Sequence, residues 1–276
     1  VSAAKRIVSP AGKPKTLAAV HPNAGLTQEY QRRLDRLLGE MHRSISYFVL
    51  RAYSGKPPEM AQDAPDGSAG MSPARFLEQR MRELGKRWLS RFDEAAPELA
   101  KYFAKAAADR SDVALKDSLR RAGISVKFRI TREVNDIAQA SVAENVNLIR
   151  SIAQQHMTQV QTLVMSSVQT GRDIGTLAKA LQDQYGVTRR RAALIARDQN
   201  SKATAAITRA RQIELGITEA VWLHSTAGRH PRPSHVAASG KRYDIAKGMY
   251  LDGVWTWPGR EINCRCVSKS IVSGFD

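Results

Sequence analysis

From Thr27 to about Tyr53 the apolar positions Tyr30, Leu34, Leu37, Leu38, Met41, Ile45 and Phe48 recur every three or four residues. That spacing predicts an amphipathic helix capped by Thr27, with Arg32, Arg33, Arg36 and Arg43 mainly on the opposite face. A second stripe of Phe76, Leu77, Met81, Leu84, Trp88, Leu89 and Phe92 follows Ser72 and Pro73, a cap with a first-turn proline. Pro97 reads as the opening of another helix that passes Leu99, Phe103 and Leu119 and stops near Gly123. Residues 124–130 alternate apolar and polar, as a short strand or extended connector would. Beyond Thr131, Val134, Ile137, Val142, Val146, Ile149, Ile152, Met157, Val160, Val164 and Val168 predict the longest helix, roughly 55–60 Å at 1.5 Å per residue. Leu177 and Leu181 mark a short helix that stops at Gly186. Thr188 then caps a last long one over 189–214, with Leu194, Ile195, Ile207, Ile213 and Leu215 on its buried side.

After Glu219 the period shortens. Gly and Pro become frequent, and strands are expected at 220–224, near 242–245 and at 265–271. The fold class is therefore expected to be mainly α with a small α+β C-terminal module, its long helices forming an extended helical body. Residues 1–25 hold three prolines and no apolar period, and read as a flexible basic arm. Residues 26–216 read as the helical body, with a Pro-, Gly-, Ser- and Asp-rich linker at about 54–73, and 217–276 as the terminal module.

Composition supports this division. Aromatics make up only 6% of a chain that is 42% hydrophobic, which favours helices packed through small and aliphatic side chains. No apolar run reaches the ~20 residues of a membrane span, so no membrane association is expected. The formal charge of +17 is uneven. Residues 1–56 carry ten Lys/Arg against three acids, 57–187 eighteen against sixteen, and 188–276 fifteen against seven. A nearly neutral centre between basic ends suits a scaffold whose ends face a polyanion. Arg32, Arg33 and Arg36 on one helix, and Arg189, Arg190 and Arg191 at a helix N-terminus, are the candidate nucleic-acid contacts. Basic side chains at that end oppose the helix dipole, so helix stability does not account for them; a phosphate partner would, and so would a plain solvated face.

Chemically distinctive residues concentrate in the last quarter. Both cysteines, three of six histidines and three of four tryptophans lie between Val221 and Val272. A Trp-containing strand at Trp222 is followed by Arg229, His235 and Gly240, and the stretch closes on Pro258-Gly259 and Asn263-Cys264-Arg265-Cys266. This ordered set resembles the C-terminal domain of the phage Mu F-like, SPP1-type minor head (head morphogenesis) proteins, over roughly the last third of the chain. The resemblance implies a minor head protein present in several copies per virion. It would dock on the portal protein or the major capsid protein inside the head, and assist head assembly or DNA ejection. Double-stranded DNA would be held by electrostatics.

Cys264 and Cys266 lie two apart in an expected strand, with both thiols on one face, and a disulfide between them would be strained. With His235, and His230 or His224, they could form a tetrahedral zinc site; equally, the cysteines could be small buried hydrophobes. Arg265 should face the other side of the strand and do little to activate either thiol. An ADP-ribosyltransferase strand is suggested by Leu223 to Thr226, but its Glu-x-Glu pair is missing; a His-Asn-His nuclease would need Asn263 between its histidines, not after them. No catalytic residue is therefore assigned and the expectation is a binding protein, not an enzyme. The alternatives are a metal-dependent nuclease using His230 and His235, and a zinc-stapled DNA-binding protein outside the virion. Trp222, Trp255 and Trp257 could stack on single-stranded bases, although such residues more often form a small module's core.

Overall fold

The computed structural model of the 276-residue chain describes residues 14–55, 73–170, 174–226, 228 and 230–272. The fold is mainly helical with a small C-terminal sheet module, as the apolar pattern requires. Four long helices, α1 (Ala24–Gly55), α2 (Pro73–Arg121), α3 (Arg132–Gln169) and α4 (Ile174–Glu214), precede a short α5 (Pro233–Ala238). The strands are β1 (Lys15–Thr16), β2 (Glu219–Leu223), β3 (Arg242–Asp244), β4 (Met249–Leu251), β5 (Val254–Thr256) and β6 (Val267–Val272). Two compact units are assembled from separate stretches, one from 1–28, 100–143 and 196–276 and the other from 29–99 and 144–195. Each long helix thus contributes one stretch to each unit. Most of the linker read at 54–73 falls outside the described residues.

Several predicted helix boundaries are absent, and packing explains why. Pro97 lies inside α2. A mid-helix proline removes one hydrogen bond at a cost of ~3 kcal/mol, but Phe92, Ala96, Ala100 and Phe103 keep one buried stripe running across it. Gly186 likewise lies inside α4 and does not end a helix. Leu181, Thr188, Ala192 and Ile195 are all buried at helical spacing around it, and an interior glycine costs only ~1 kcal/mol. Thr188 is consequently a buried mid-helix residue and no cap, and Arg189–191 do not sit at a helix N-terminus. Residues 124–130 form no strand. The α1 cap is Asn23, whose side-chain oxygen accepts the Leu26 N–H at 2.9 Å, in place of the predicted Thr27. Ile213, expected inward, is 49% exposed.

The helical unit of 29–99 and 144–195 is held by polar pairs between its helices as well as by apolar burial. Tyr30 donates from its hydroxyl to Asn145 at 2.9 Å, and Trp88 from its indole to Ser44 at 3.2 Å. Arg150 meets Asp93 at 2.7 Å. His156 on α3 is 1% exposed, with its Nδ1 2.8 Å from Thr188 Oγ1. The Thr188 proton is committed to the Gln184 carbonyl at 3.0 Å, so His156 Nδ1–H donates and Nε2 is left buried without a partner.

Burial lowers the His156 pKa to about 4, with the charge of His42 adding to the effect. An unfolded histidine titrates near ~6.5, so the unfolded chain takes up the proton first as pH falls. The stability from neutral His156 is complete above that value and drains as pH drops toward about 4. By pH ~5 the loss amounts to about 2 kcal/mol. We expect His156→Gln to lose that much less stability than wild type between pH 7 and 5 in urea unfolding. Parallel losses in the two proteins would contradict the assignment.

The other unit carries the sheet, in the order β1-β6-β2-β3 with every pair antiparallel, plus the separate hairpin β4-β5. Strand β1 pairs Lys15 with Val272 and Thr16 with Ile271, and Leu17 and Val20 are buried behind it. Part of the stretch read as a flexible arm is therefore an edge strand; residues 1–13 lie outside the described residues. The β4-β5 turn is Asp252-Gly253, both with positive φ (50° and 83°), the conformation that a two-residue hairpin requires. The core joins Leu115 and Leu119 of α2, Leu215 and Ile217 at the end of α4, Ala220 and Trp222 of β2, Tyr243, Cys264 and Cys266.

Candidate functional site

The sheet register brings the cysteines to His224, which the sequence offered only as an alternative to His230. Antiparallel β2 and β6 pair Trp222 with Ser268 and Leu223 with Val267, so the next residue on each side, His224 and Cys266, face one another across the strand ends. Cys266 Sγ lies 3.6 Å from His224 Nδ1. Opposite them, Pro233 opens α5, which turns His235 inward while Val236 faces solvent. His235 Nδ1 lies 3.5 Å from Cys264 Sγ and 3.7 Å from Cys266 Sγ. Its ring meets that of Trp222 edge-on at 5.1 Å. The donor atoms of His235, Cys264 and Cys266 all fall within 4.8 Å of one another, and all three residues are buried. Neither cysteine is in a disulfide. His230, the other predicted ligand, is exposed and lines the same pocket; neither it nor His224, which approaches Cys266, belongs to the group of three convergent donors.

A hydrogen bond from the Cys266 thiol, helped by His235, lowers the Cys264 pKa, while the same bond and burial push Cys266 up. The sequence offered no activating neighbour except Arg265; the activation comes instead from the other cysteine. Above the cluster opens a pocket of about 360 Å³ lined by His224, His230, Arg232, His235, Asn263 and Arg265 among others.

The remaining motif residues hold this arrangement in place. Asn263 has a φ of 60°, and its N–H donates to Asp198 of α4 at 2.6 Å. Arg197 donates to the Asn263 side chain at 3.4 Å. Gly259, at φ 85°, lies against α4 so closely that a Cβ would stand 3.0 Å from that of Ala205. Pro258 beside it is buried. Gly240, at φ 84°, donates its N–H to the Trp222 carbonyl at 2.8 Å and returns the chain to β2. Trp222 is fully buried. Trp257 is half-buried between the guanidinium groups of Arg209 (4.0 Å) and Arg260 (5.1 Å), its indole donating to Ile245. Trp255 is exposed on the hairpin. Arg229 lies outside the described residues.

Comparison with known proteins agrees with this frame. Residues 158–269 match the family described as Phage Mu protein F like protein. The resemblance read from the motif residues is thereby borne out over the last part of the chain. An uncharacterized protein of Haemophilus influenzae is 34% identical over 149 residues, which cover 54% of this chain and 32% of that protein. The chain thus spans about a third of the length of the curated relative it matches. No solved structure matches.

The six arginines proposed as polyanion contacts are placed unequally. An ion pair between Arg189 and Asp35 at 3.0 Å brings α4 against α1, so the two predicted clusters lie on neighbouring helices. Arg189 also stacks over Tyr185, and Arg33 pairs with Glu29 at 3.0 Å. Arg191 turns inward to donate to Ser151 at 2.9 Å, and burial lowers its pKa. Arg32, Arg36 and Arg190 are exposed and form no ion pair among the described residues. Sequence reasoning had no ground for preferring His224 to His230, because no pattern separates them until the β2-β6 register is known. It also missed α5, which Pro233 could have signalled as a first-turn proline.

Proposed function

We propose that this protein is a minor head protein of a tailed phage, which docks on the portal or the inner face of the capsid and contacts packaged double-stranded DNA. There it assists head assembly or DNA ejection. The observation that carries the reading is the match over 158–269, reinforced by the way Trp222, Gly240, Gly259 and Asn263 each meet a specific structural demand of one module. The action is binding, with long helices offering area to protein partners and Arg32, Arg36 and Arg190 offering free positive charge. Among the described residues no helix is long and apolar enough to cross a membrane.

The full chain should bind DNA with an affinity that falls steeply as salt rises. Reversing Arg32, Arg36 and Arg190 to Glu together should flatten the slope of log K against log salt by about 2–3, at roughly 0.9 for each phosphate no longer neutralised. Arg191→Gln should leave the slope as it is. Affinity indifferent to salt would remove the electrostatic role. Absence of the protein from purified particles would remove the head assignment altogether.

A further inference from the structure

We infer that His224, His235, Cys264 and Cys266 bind one Zn²⁺ that ties together β2, α5 and the turn leading into β6. This site is independent of DNA contact and of docking. Three observations carry it.

The first is distance. A tetrahedral zinc with Zn–S of about 2.3 Å and Zn–N of about 2.0–2.1 Å places sulfur and nitrogen ligands about 3.6 Å apart. Three of the four sulfur–nitrogen pairs such a site contains lie at 3.5, 3.6 and 3.7 Å; His235, Cys264 and Cys266 converge within 4.8 Å of one another, and His224 meets that group through Cys266. The second is valence. His235 Nδ1 approaches both sulfurs, yet an imidazole nitrogen has one lone pair or one proton and can serve only one thiol well. A cation seated between the three donors satisfies all of them at once.

The third is the chemistry of the donors: two buried cysteines, neither in a disulfide, with imidazole nitrogens beside them. Deprotonated, such thiols are the form that ligates metal. A donor set of two thiolates and two imidazoles selects zinc over the oxygen-seeking cations magnesium and calcium.

The ligands come from three segments separated by loops, at the strand end, in the six-residue α5 and in the Asn-Cys-Arg-Cys stretch. A metal there fixes loops that have little hydrogen-bonded structure of their own. His230 and Arg232 line the pocket above and are left free of the ion.

The test is metal analysis and cobalt substitution of the full-length protein. One equivalent of zinc per chain is expected. After chelation, added Co²⁺ should give the thiolate-to-metal charge-transfer band and tetrahedral d–d bands, and should quench the fluorescence of Trp222 beside His235. Cys266→Ser and His235→Asn should lose Co²⁺ affinity at least a hundredfold. His224→Asn should lose at least tenfold, and His230→Asn should lose none. Far-UV circular dichroism of each variant shows whether the helices have survived, and the chelator experiment on wild type needs no variant at all. A wild-type protein that neither contains zinc nor develops a cobalt spectrum overturns the site. A His230 variant as impaired as the His224 variant overturns the assignment of the fourth ligand.

Discussion

Arg211→Ala is expected to destabilise the protein by about 3–5 kcal/mol, in the range for breaking a buried, hydrogen-bonded ion pair. The side chain is only 2% exposed in the unit that carries the sheet. Its Nε and Nη2 reach the two Asp112 oxygens at 2.9 and 2.7 Å, a bidentate pair. Its Nη1 donates to Glu214 at 2.8 Å and to the Arg129 carbonyl at 2.7 Å. The guanidinium plane lies over the Phe128 ring at 4.6 Å. Burial works against the charge, but the hydrogen bonds and fields of Asp112 and Glu214 outweigh it and hold the Arg211 pKa above its ordinary value. Truncation would leave two carboxylates facing one another, each about a fifth exposed, and would strip the Arg129 carbonyl of its donor. Arg211→Met keeps the stem against Phe128 and should cost less, about 1–3 kcal/mol. Chemical denaturation measures both. A loss below ~1 kcal/mol for Arg211→Ala would mean that the network contributes little beyond what water replaces.

Arg211 also marks the limit of what the chain discloses before folding. As a letter it was one of fifteen basic residues in a stretch read as polyanion-facing; in the structure its charge is consumed internally. Arg189, Arg191 and Arg33 are similarly engaged. Net charge counts residues, whereas a partner meets only the charges left unpaired, and pairing depends on contacts such as Arg189–Asp35 between residues 154 positions apart.

The helices were legible because their apolar stripes are long: Tyr30, Leu34, Leu38, Met41 and Ile45 are all buried as their spacing requires. Their ends were less so. Pro97 and Gly186 are breakers by local preference, and continuous burial on either side overrides them. At the candidate site, Cys264, Cys266 and His235 were visible as chemistry and converge as expected. The placing of His224 beside Cys266 turns on strand register, which follows from pairing with β6 some forty residues away and not from local pattern.

Trp222→Ala should cost about 3–5 kcal/mol, whereas Trp255→Ala should change stability by no more than about 0.5 kcal/mol. The two residues were indistinguishable as candidates for base stacking. Trp222 is fully buried, edge-on to His235 at 5.1 Å and to Tyr243 at 6.1 Å, among the residues that join β2 to the helices of its unit. Truncation there opens a cavity under the sheet and under α5, and the rigid β2-β6 ladder limits collapse around it. Trp222→Phe restores most of the volume. It also removes an indole N–H that is buried without a conventional partner, so part of the packing loss is offset and the net cost should stay near 1–2 kcal/mol. Trp255 is 56% exposed and touches chiefly its cross-strand neighbour Tyr250, with ring centroids 5.6 Å apart, so little area returns to water when it is cut back. Of the two, Trp255 is therefore the one with a face available to a partner. Thermal or urea unfolding followed by far-UV circular dichroism distinguishes these cases. Equal, small losses for Trp222→Ala and Trp255→Ala would show that β2 is not the strand on which this module is built.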